Sequence, residues 1–183
     1  MPDQQPLAVI FDVDGVLIDS YAPHYQSWRE IAAGFDVDYT EAQFATGFGR
    51  TSREIVAEQW NRPDLTPEQI RAIDDAKETA YRRLVADDFP AMAGAGDLVA
   101  ALHAAGFRIA VGSSGPPENV DLAIEKLGLS PYLGGKVTGR DVTRGKPDPQ
   151  IFLRAAEKLG VPPARCAVVE DAPAGVAAAK AAG

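Results

Sequence analysis

The chain has 183 residues, 46% of them hydrophobic and 24% charged, a composition that supports a sizeable apolar core and argues against disorder. A formal net charge of -8 and a pI near 4.7 would repel a nucleic-acid backbone, so no nucleic-acid partner is expected. Met1 to Pro6 contain no basic stretch and no long apolar run, which predicts neither signal peptide nor membrane span and suggests a cytoplasmic protein; one cysteine, Cys166, and two distant histidines, His24 and His103, leave any metal to oxygen ligands.

The first predicted strand is Leu7 to Phe11, a short apolar run that ends on acidic residues. From Ser20 to Phe89 the pattern changes to helical periodicity without a convincing strand, and this stretch reads as an inserted helical domain. Within it, Thr66-Pro67-Glu68-Gln69 has the form of a capping box with proline at the first helical position, opening a helix that should run to about Val85. Trp28, Phe44, Phe48 and Trp60 are spaced as core of that domain. Asp87 to Pro90 reads as the return linker.

Beyond it, strands are predicted at Phe107 to Val111, Gly135 to Val137 and Cys166 to Val169, separated by amphipathic helices that stop at Gly106, Gly128 and Gly160. Asp148 is expected as the N-cap of one helix, with Pro149 at its first position, and the alanine-rich stretch from Ala177 to Ala182 as part of an ordinary helix. The expected fold is α/β: a Rossmann-like, doubly wound parallel sheet formed by residues 1–19 and 90–183, interrupted by helical residues 20–89.

Asp12 and Asp14 follow the first strand at its carboxyl end, where open α/β sheets bind ligands. Two carboxylates ~4 Å apart repel by about 4 kcal/mol at an effective dielectric of 20, a conflict that a divalent cation resolves. A pair of turn-forming aspartates before Gly15 is the structural alternative. Gly112-Ser113-Ser114-Gly115 follows the second strand with small residues suited to close anion approach; Lys146 sits in a proline-stiffened loop, and Glu170-Asp171 follow the last strand. The glycine-serine signal is weak by itself, and a surface lysine in a turn and helix capping by Asp171 are the structural alternatives for the other two clusters. In a parallel sheet all four clusters fall on one edge, and that convergence favours a site.

At this point the chain resembles the haloacid dehalogenase superfamily, in its phosphatase and phosphomutase branch. Phe11-Asp12-Val13-Asp14-Gly15-Val16-Leu17 resembles the first motif, Ser113 the second, Lys146-Pro147 the third and Glu170-Asp171 the fourth, with the helical insertion between the first two. The resemblance implies Asp12 as nucleophile and Asp14 as acid and base. It implies Ser113, Ser114 and Lys146 as phosphate-binding groups, and Mg²⁺ held by Asp12, the Asp14 carbonyl, Asp171 and Glu170, the last directly or through water. It further implies a small phosphomonoester as substrate and a cap hinged near Ser20 and Phe89 to Ala91.

An aspartate at Asp14 argues against the halide-displacing and phosphonate-cleaving branches. A phosphomutase is the alternative, because His24 stands where β-phosphoglucomutases place a cap histidine and Gly49 to Glu54 is similar to their substrate segment, with Arg50 and Arg53 competing for its arginine position. Lys77, one turn before Tyr81, is similar to a basic position in such caps; a helix-face salt bridge is its structural reading, as a hinge histidine bonded to backbone is that of His24. A phosphate-binding protein without turnover is a third possibility, against which stand the four motifs. Relatives continue past the fourth motif, so the resemblance implies a missing strand and helix after Gly183 and an exposed edge at the last strand. No feature of the sequence fixes the oligomeric state.

Overall fold

The computed structural model describes residues 6–47 and 52–183. Its sheet has four parallel strands, β1 (Ala8–Phe11), β2 (Arg108–Gly112), β3 (Leu133–Val137) and β4 (Cys166–Val169), in the order β3-β2-β1-β4. The helices are α1 (Tyr21–Ala33), α2 (Glu41–Gly47), α3 (Ser52–Glu54), α4 (Pro67–Asp87), α5 (Ala95–Ala104), α6 (Pro117–Lys126), α7 (Gln150–Leu159) and α8 (Pro173–Ala182). A π-helical turn, Ile55–Gln59, continues α3. Among the described residues no helix is long and apolar enough to cross a membrane.

Contacts divide the chain into two compact units, Met1–Asp19 with Pro90–Gly183, and Ser20–Phe89. In the first, β1 is buried at every position because strands flank it on both sides, which explains its unbroken Ala-Val-Ile-Phe run. Helix α7 presents Ile151, Phe152, Ala155, Ala156 and Leu159 to the sheet, where they meet Ile10, Ala110 and Val137; each large apolar side chain so buried contributes about 1.5–3 kcal/mol. The two chain crossings are clasped: the Asp19 amide donates to the Pro90 carbonyl at 2.8 Å, and the Met92 amide to the Leu17 carbonyl at 3.0 Å.

Strand bounds shift from expectation by a residue or two. β1 begins at Ala8, since Leu7 is 45% exposed, and β2 spans Arg108–Gly112 rather than Phe107 to Val111. β3 begins at Leu133 rather than Gly135. Its glycines carry no apolar signal, yet they are what the packing needs: a Cβ on Gly134 would stand 2.8 Å from Leu159 Cδ2, and one on Gly135 3.1 Å from Lys158 Cβ. Helix α7 starts at Gln150, not Pro149. The Pro149 carbonyl accepts the Leu153 amide at 3.0 Å and takes the N-cap place, while Asp148 Oδ1 accepts the Gln150 amide at 3.0 Å.

The second unit contains helices and no strand among its described residues. Trp28, Tyr39, Phe44, Ile55, Val56, Trp60 and Ile73 form its core, with Trp28 and Trp60 edge to face at 5.6 Å. Phe48 lies outside the described residues. Helix α4 opens on the capping box: Thr66 Oγ1 accepts the Gln69 amide at 3.3 Å and Gln69 Oε1 accepts the Thr66 amide at 2.8 Å. It runs to Asp87, two residues beyond the expected Val85.

Candidate active site

Parallel register sets the geometry. Phe11 is level with Val111 on one side and Val169 on the other, so the residues after each strand emerge at one edge. The Asp12 amide donates to the Val169 carbonyl at 3.0 Å, carrying the ladder one step further and fixing the Asp12 backbone beside Glu170. The following turn is closed by amides of Leu17 and Ile18 on the Val13 carbonyl and by the Gly15 amide on the Ile18 carbonyl, with Gly15 at φ +76°. A Cβ on Gly15 would collide with the Asp171 carboxylate, so this position needs glycine both for its left-handed backbone and for the approach of Asp171. Gly175, in the first turn of α8, makes the same allowance for Glu170.

Asp12 is 7% exposed and Lys146 meets it there. Lys146 Nζ lies 3.0 Å from Asp12 Oδ1 and 2.5 Å from Glu170 Oε1. The ammonium is aligned for a hydrogen bond to Glu170; toward Asp12 it is at ion-pair distance but off angle, leaving the buried Asp12 Oδ1 without a hydrogen-bond donor among the described residues. Desolvation dominates the Asp12 carboxyl and pushes its pKa up to about 7; Lys146 opposes the rise, and the charges of Asp14 and Glu170 reinforce it. Asp171 is also raised, first by partial desolvation and then by Glu170.

Asp12, Glu170 and Asp171 each present an oxygen within 4.8 Å of the others. The crowding of acids, the orphaned Oδ1 and the oxygen-only donor set fit a hard divalent cation. Glu170 already has both oxygens taken, Oε1 by Lys146 and Oε2 by the Ala172 amide at 2.7 Å, which weights direct ligation toward Asp12 and Asp171.

The loop after β2 completes the edge. Ser113 is buried; its amide donates to the Val137 carbonyl at 3.0 Å and its Oγ accepts the Gly115 amide at 3.1 Å. Asp14 is half-buried, and its Oδ2 and Ser113 Oγ both flank Gly115, 3.8 and 3.3 Å from where a Cβ there would stand. The Ser114 side chain is exposed, and its carbonyl lies so close beneath Gly139 that no side chain fits there. Asp12, Lys146, Glu170 and Asp171 thus form one cluster, with Asp14 and Ser113 at the adjacent loop.

In the second unit, His24 and Lys77 are brought together. Lys77 is 5% exposed, donates to His24 Nδ1 at 3.0 Å and pairs with Glu78 Oε1 at 2.7 Å; His24 stacks on Tyr81 at 3.9 Å. Lysine has only protons to offer, so His24 Nδ1 is the acceptor. Lys77 does make a salt bridge, but with the adjacent residue and while buried, not along an exposed helix face. His24 contacts the Lys77 and Tyr81 side chains. Arg53 is exposed on α3, and Arg50 lies outside the described residues. Sequence reasoning missed Gly15, Gly139 and Gly175 as steric allowances, and missed Phe152, whose ring lies beneath Lys146 Nζ; its only signal was a place in the first turn of the helix after Lys146.

Comparison with known proteins identifies the family. The chain is 33% identical over 178 residues to fructose-1-phosphate phosphatase YqaB of Escherichia coli (strain K12), covering 96% of the chain and 92% of that protein. It is 31% identical over 182 residues to the β-phosphoglucomutase of Bacillus subtilis (strain 168), covering 96% and 80%. A crystal structure of a HAD hydrolase, family IA, variant 3, from Entamoeba histolytica HM-1:IMSS superposes with a TM-score of 0.87 at 30% identity, over 97% of the chain and 81% of that structure. The family model for haloacid dehalogenase-like hydrolases matches residues 6–183, nearly the whole chain, and the chain belongs to that family.

Proposed function

We propose that the chain is a Mg²⁺-dependent phosphatase of small phosphomonoesters, sugar phosphates foremost, acting through an aspartyl phosphate on Asp12. The observation that carries this reading is the buried Asp12 carboxylate facing Lys146 with the Glu170 and Asp171 oxygens within 4.8 Å. Asp12, Asp171 and the Asp14 carbonyl would hold the ion, with Glu170 behind them; bound there, Mg²⁺ supplies positive charge that keeps Asp12 ionised and lets an anionic phosphoryl group approach.

An Asp12 carboxylate oxygen attacks phosphorus in line as the ester P–O bond breaks. Lys146 binds one phosphoryl oxygen, and Ser113 with the amides of its loop binds others, where charge accumulates in the transition state. Asp14 gives its proton to the departing alkoxide, then takes one from the water that displaces Asp12 from phosphorus, restoring both carboxylates to their starting states. Residues 20–89 act as a cap that selects the substrate, and the protein works in the cytoplasm.

The test is phosphate release from a sugar-phosphate panel and p-nitrophenyl phosphate, with and without Mg²⁺, comparing the parent with Asp12→Asn. Mg²⁺-dependent release lost in Asp12→Asn is the expected result. Background release from the parent across the whole panel sinks the phosphatase reading and favours a phosphate-binding protein without turnover.

The contact of His24 with the buried Lys77 favours a second reading, a phosphomutase like the similar enzyme of Bacillus subtilis. Interconversion of β-glucose 1-phosphate and glucose 6-phosphate followed by ³¹P NMR, abolished in His24→Ala with simple hydrolysis retained, would select it. Hydrolysis alone, unchanged by that substitution, removes it.

A further inference from the structure

The ammonium of Lys146 has a third neighbour besides Asp12 and Glu170. Its Nζ stands 5.1 Å from the centroid of the Phe152 ring. Phe152 is 1% exposed and lies in the first turn of α7, and Lys146 has a side chain only 9% exposed, so the cation faces the ring with little water between them. The ring also lies beside the end of β2: a Cβ on Gly112 would meet Phe152 Cδ1 at 3.3 Å, Cε1 at 3.4 Å and Ile10 Cγ2 at 3.3 Å. Gly112 ends β2 immediately before Ser113, so one aromatic ring spans from the root of the Ser113 loop to the Lys146 head.

We propose that Phe152 is a positioning residue that holds the Lys146 ammonium by its π face, leaving N–H groups free for a phosphoryl oxygen. An ammonium has three N–H donors and no acceptor. Glu170 takes one, and Asp12 draws on the charge from 3.0 Å. A further carboxylate would fix the lysine more firmly but would consume another donor and add negative charge where a phosphate must bind. The face of an aromatic ring attracts the cation through its quadrupole and consumes none. Core packing accounts for a large apolar residue at this position; it does not account for a ring face turned to the ammonium. Its packing beside Gly112 sets the buried ring next to the Ser113 loop, so the two groups that would bind the phosphate share one packed neighbour. The inference rests on the reading of Lys146 as the phosphoryl-binding cation.

The test replaces Phe152 in the full chain by 4-fluoro-, 3,5-difluoro- and 3,4,5-trifluorophenylalanine, which keep the ring's shape and weaken its quadrupole stepwise. Phe152→Leu serves as the variant without a ring. Two readouts are taken with Mg²⁺ present: kcat and KM for a turned-over phosphomonoester, and the affinity for inorganic phosphate by calorimetry. The expected result is a graded loss through the fluorinated series of both kcat/KM and phosphate affinity, reaching roughly tenfold at trifluorophenylalanine and in Phe152→Leu, with Tm unchanged across the fluorinated series. Flat kcat/KM and phosphate affinity through the series overturn the inference, since a packing role would follow Tm and not fluorination. If the parent binds phosphate but turns nothing over, the hydrolase reading falls while the phosphate series still decides the role of Phe152. If the parent binds no phosphate at all, both fall.

Discussion

A carboxyl group with the surroundings of Asp12 holds its proton up to about pH 7, far above the ordinary 3.8, and that has a thermodynamic sign. Below pH 3.8 the folded and unfolded forms both carry the proton and the stabilisation from the raised pKa is complete. Between 3.8 and about 7 the unfolded form loses the proton while the folded form keeps it, so stability falls as pH rises, by a total on the order of 4 kcal/mol. In chelator-treated protein, Tm should decline over that interval in the parent more steeply than in Asp12→Asn, and the variant should melt several degrees higher at pH 7.5. Parallel Tm–pH curves for the two proteins would show that Asp12 is not the source. Lys146→Met raises a related cost: it leaves Glu170, with a side chain 2% exposed, without its cation. About 3 kcal/mol of stability at pH 7 and at least 100-fold in kcat should be lost, read by urea unfolding and phosphate release; an unchanged urea midpoint would mean that Glu170 finds another partner or takes up a proton. Asp12, Asp14, Glu170 and Asp171 stood out as candidates in sequence because acids directly after apolar runs are local signals, and Lys146 because it stands in a proline-stiffened loop. Phe152 was not, because a phenylalanine at a helical core spacing reads the same whatever stands over its ring.

At the scale of elements, turns and caps carried the clearest sequence signals, while close approaches were hidden. The α4 capping box was readable from four consecutive residues, since both of its hydrogen bonds are local. Thr66→Ala should remove about 1 kcal/mol and lower Tm by roughly 2–4 °C while leaving catalysis intact, because both hydrogen bonds of the capping box join only Thr66 and Gln69; an activity loss exceeding twofold would tie α4 to the reaction. Gly15 shows the opposite case. Its φ of +76° suited the expected turn, but its second duty, clearing room for Asp171 from the far end of the chain, is a tertiary contact that no local pattern encodes. Gly15→Ala should cost about 1–2 kcal/mol in backbone strain and, by displacing Asp171, raise the Mg²⁺ concentration for half-maximal activity at least tenfold. Mg²⁺ activation identical to the parent's would show that Asp171 needs no such clearance. The start of β3, Leu133 and Gly134, hid for the same reason, its glycines being fitted to α7 rather than to strand propensity.

For the whole molecule, the clasp at Asp19–Pro90 and Leu17–Met92 closes the sheet-bearing unit on itself, so that the chain leaves and re-enters it at neighbouring backbone groups. Replacing residues 20–89 by a short glycine-serine linker should therefore leave a cooperatively folding protein that still binds phosphate weakly, with selectivity among phosphomonoesters lost. A non-cooperative melt of that shortened chain would show that the sheet unit depends on the insertion for its stability. The sheet order has a consequence for biosynthesis as well. β1 is translated first, yet it is a central strand, and its partners are β2, roughly a hundred residues later, and β4, later still. At about 5–20 residues per second the Ala-Val-Ile-Phe segment waits roughly 5–20 s for its first neighbour and longer for its second. During that interval a bare apolar ribbon with open hydrogen-bonding edges is tethered to the ribosome, a natural client for nascent-chain chaperones, and slowing translation downstream of Phe11 should raise aggregation of this protein more than it would that of a chain whose central strand is made last.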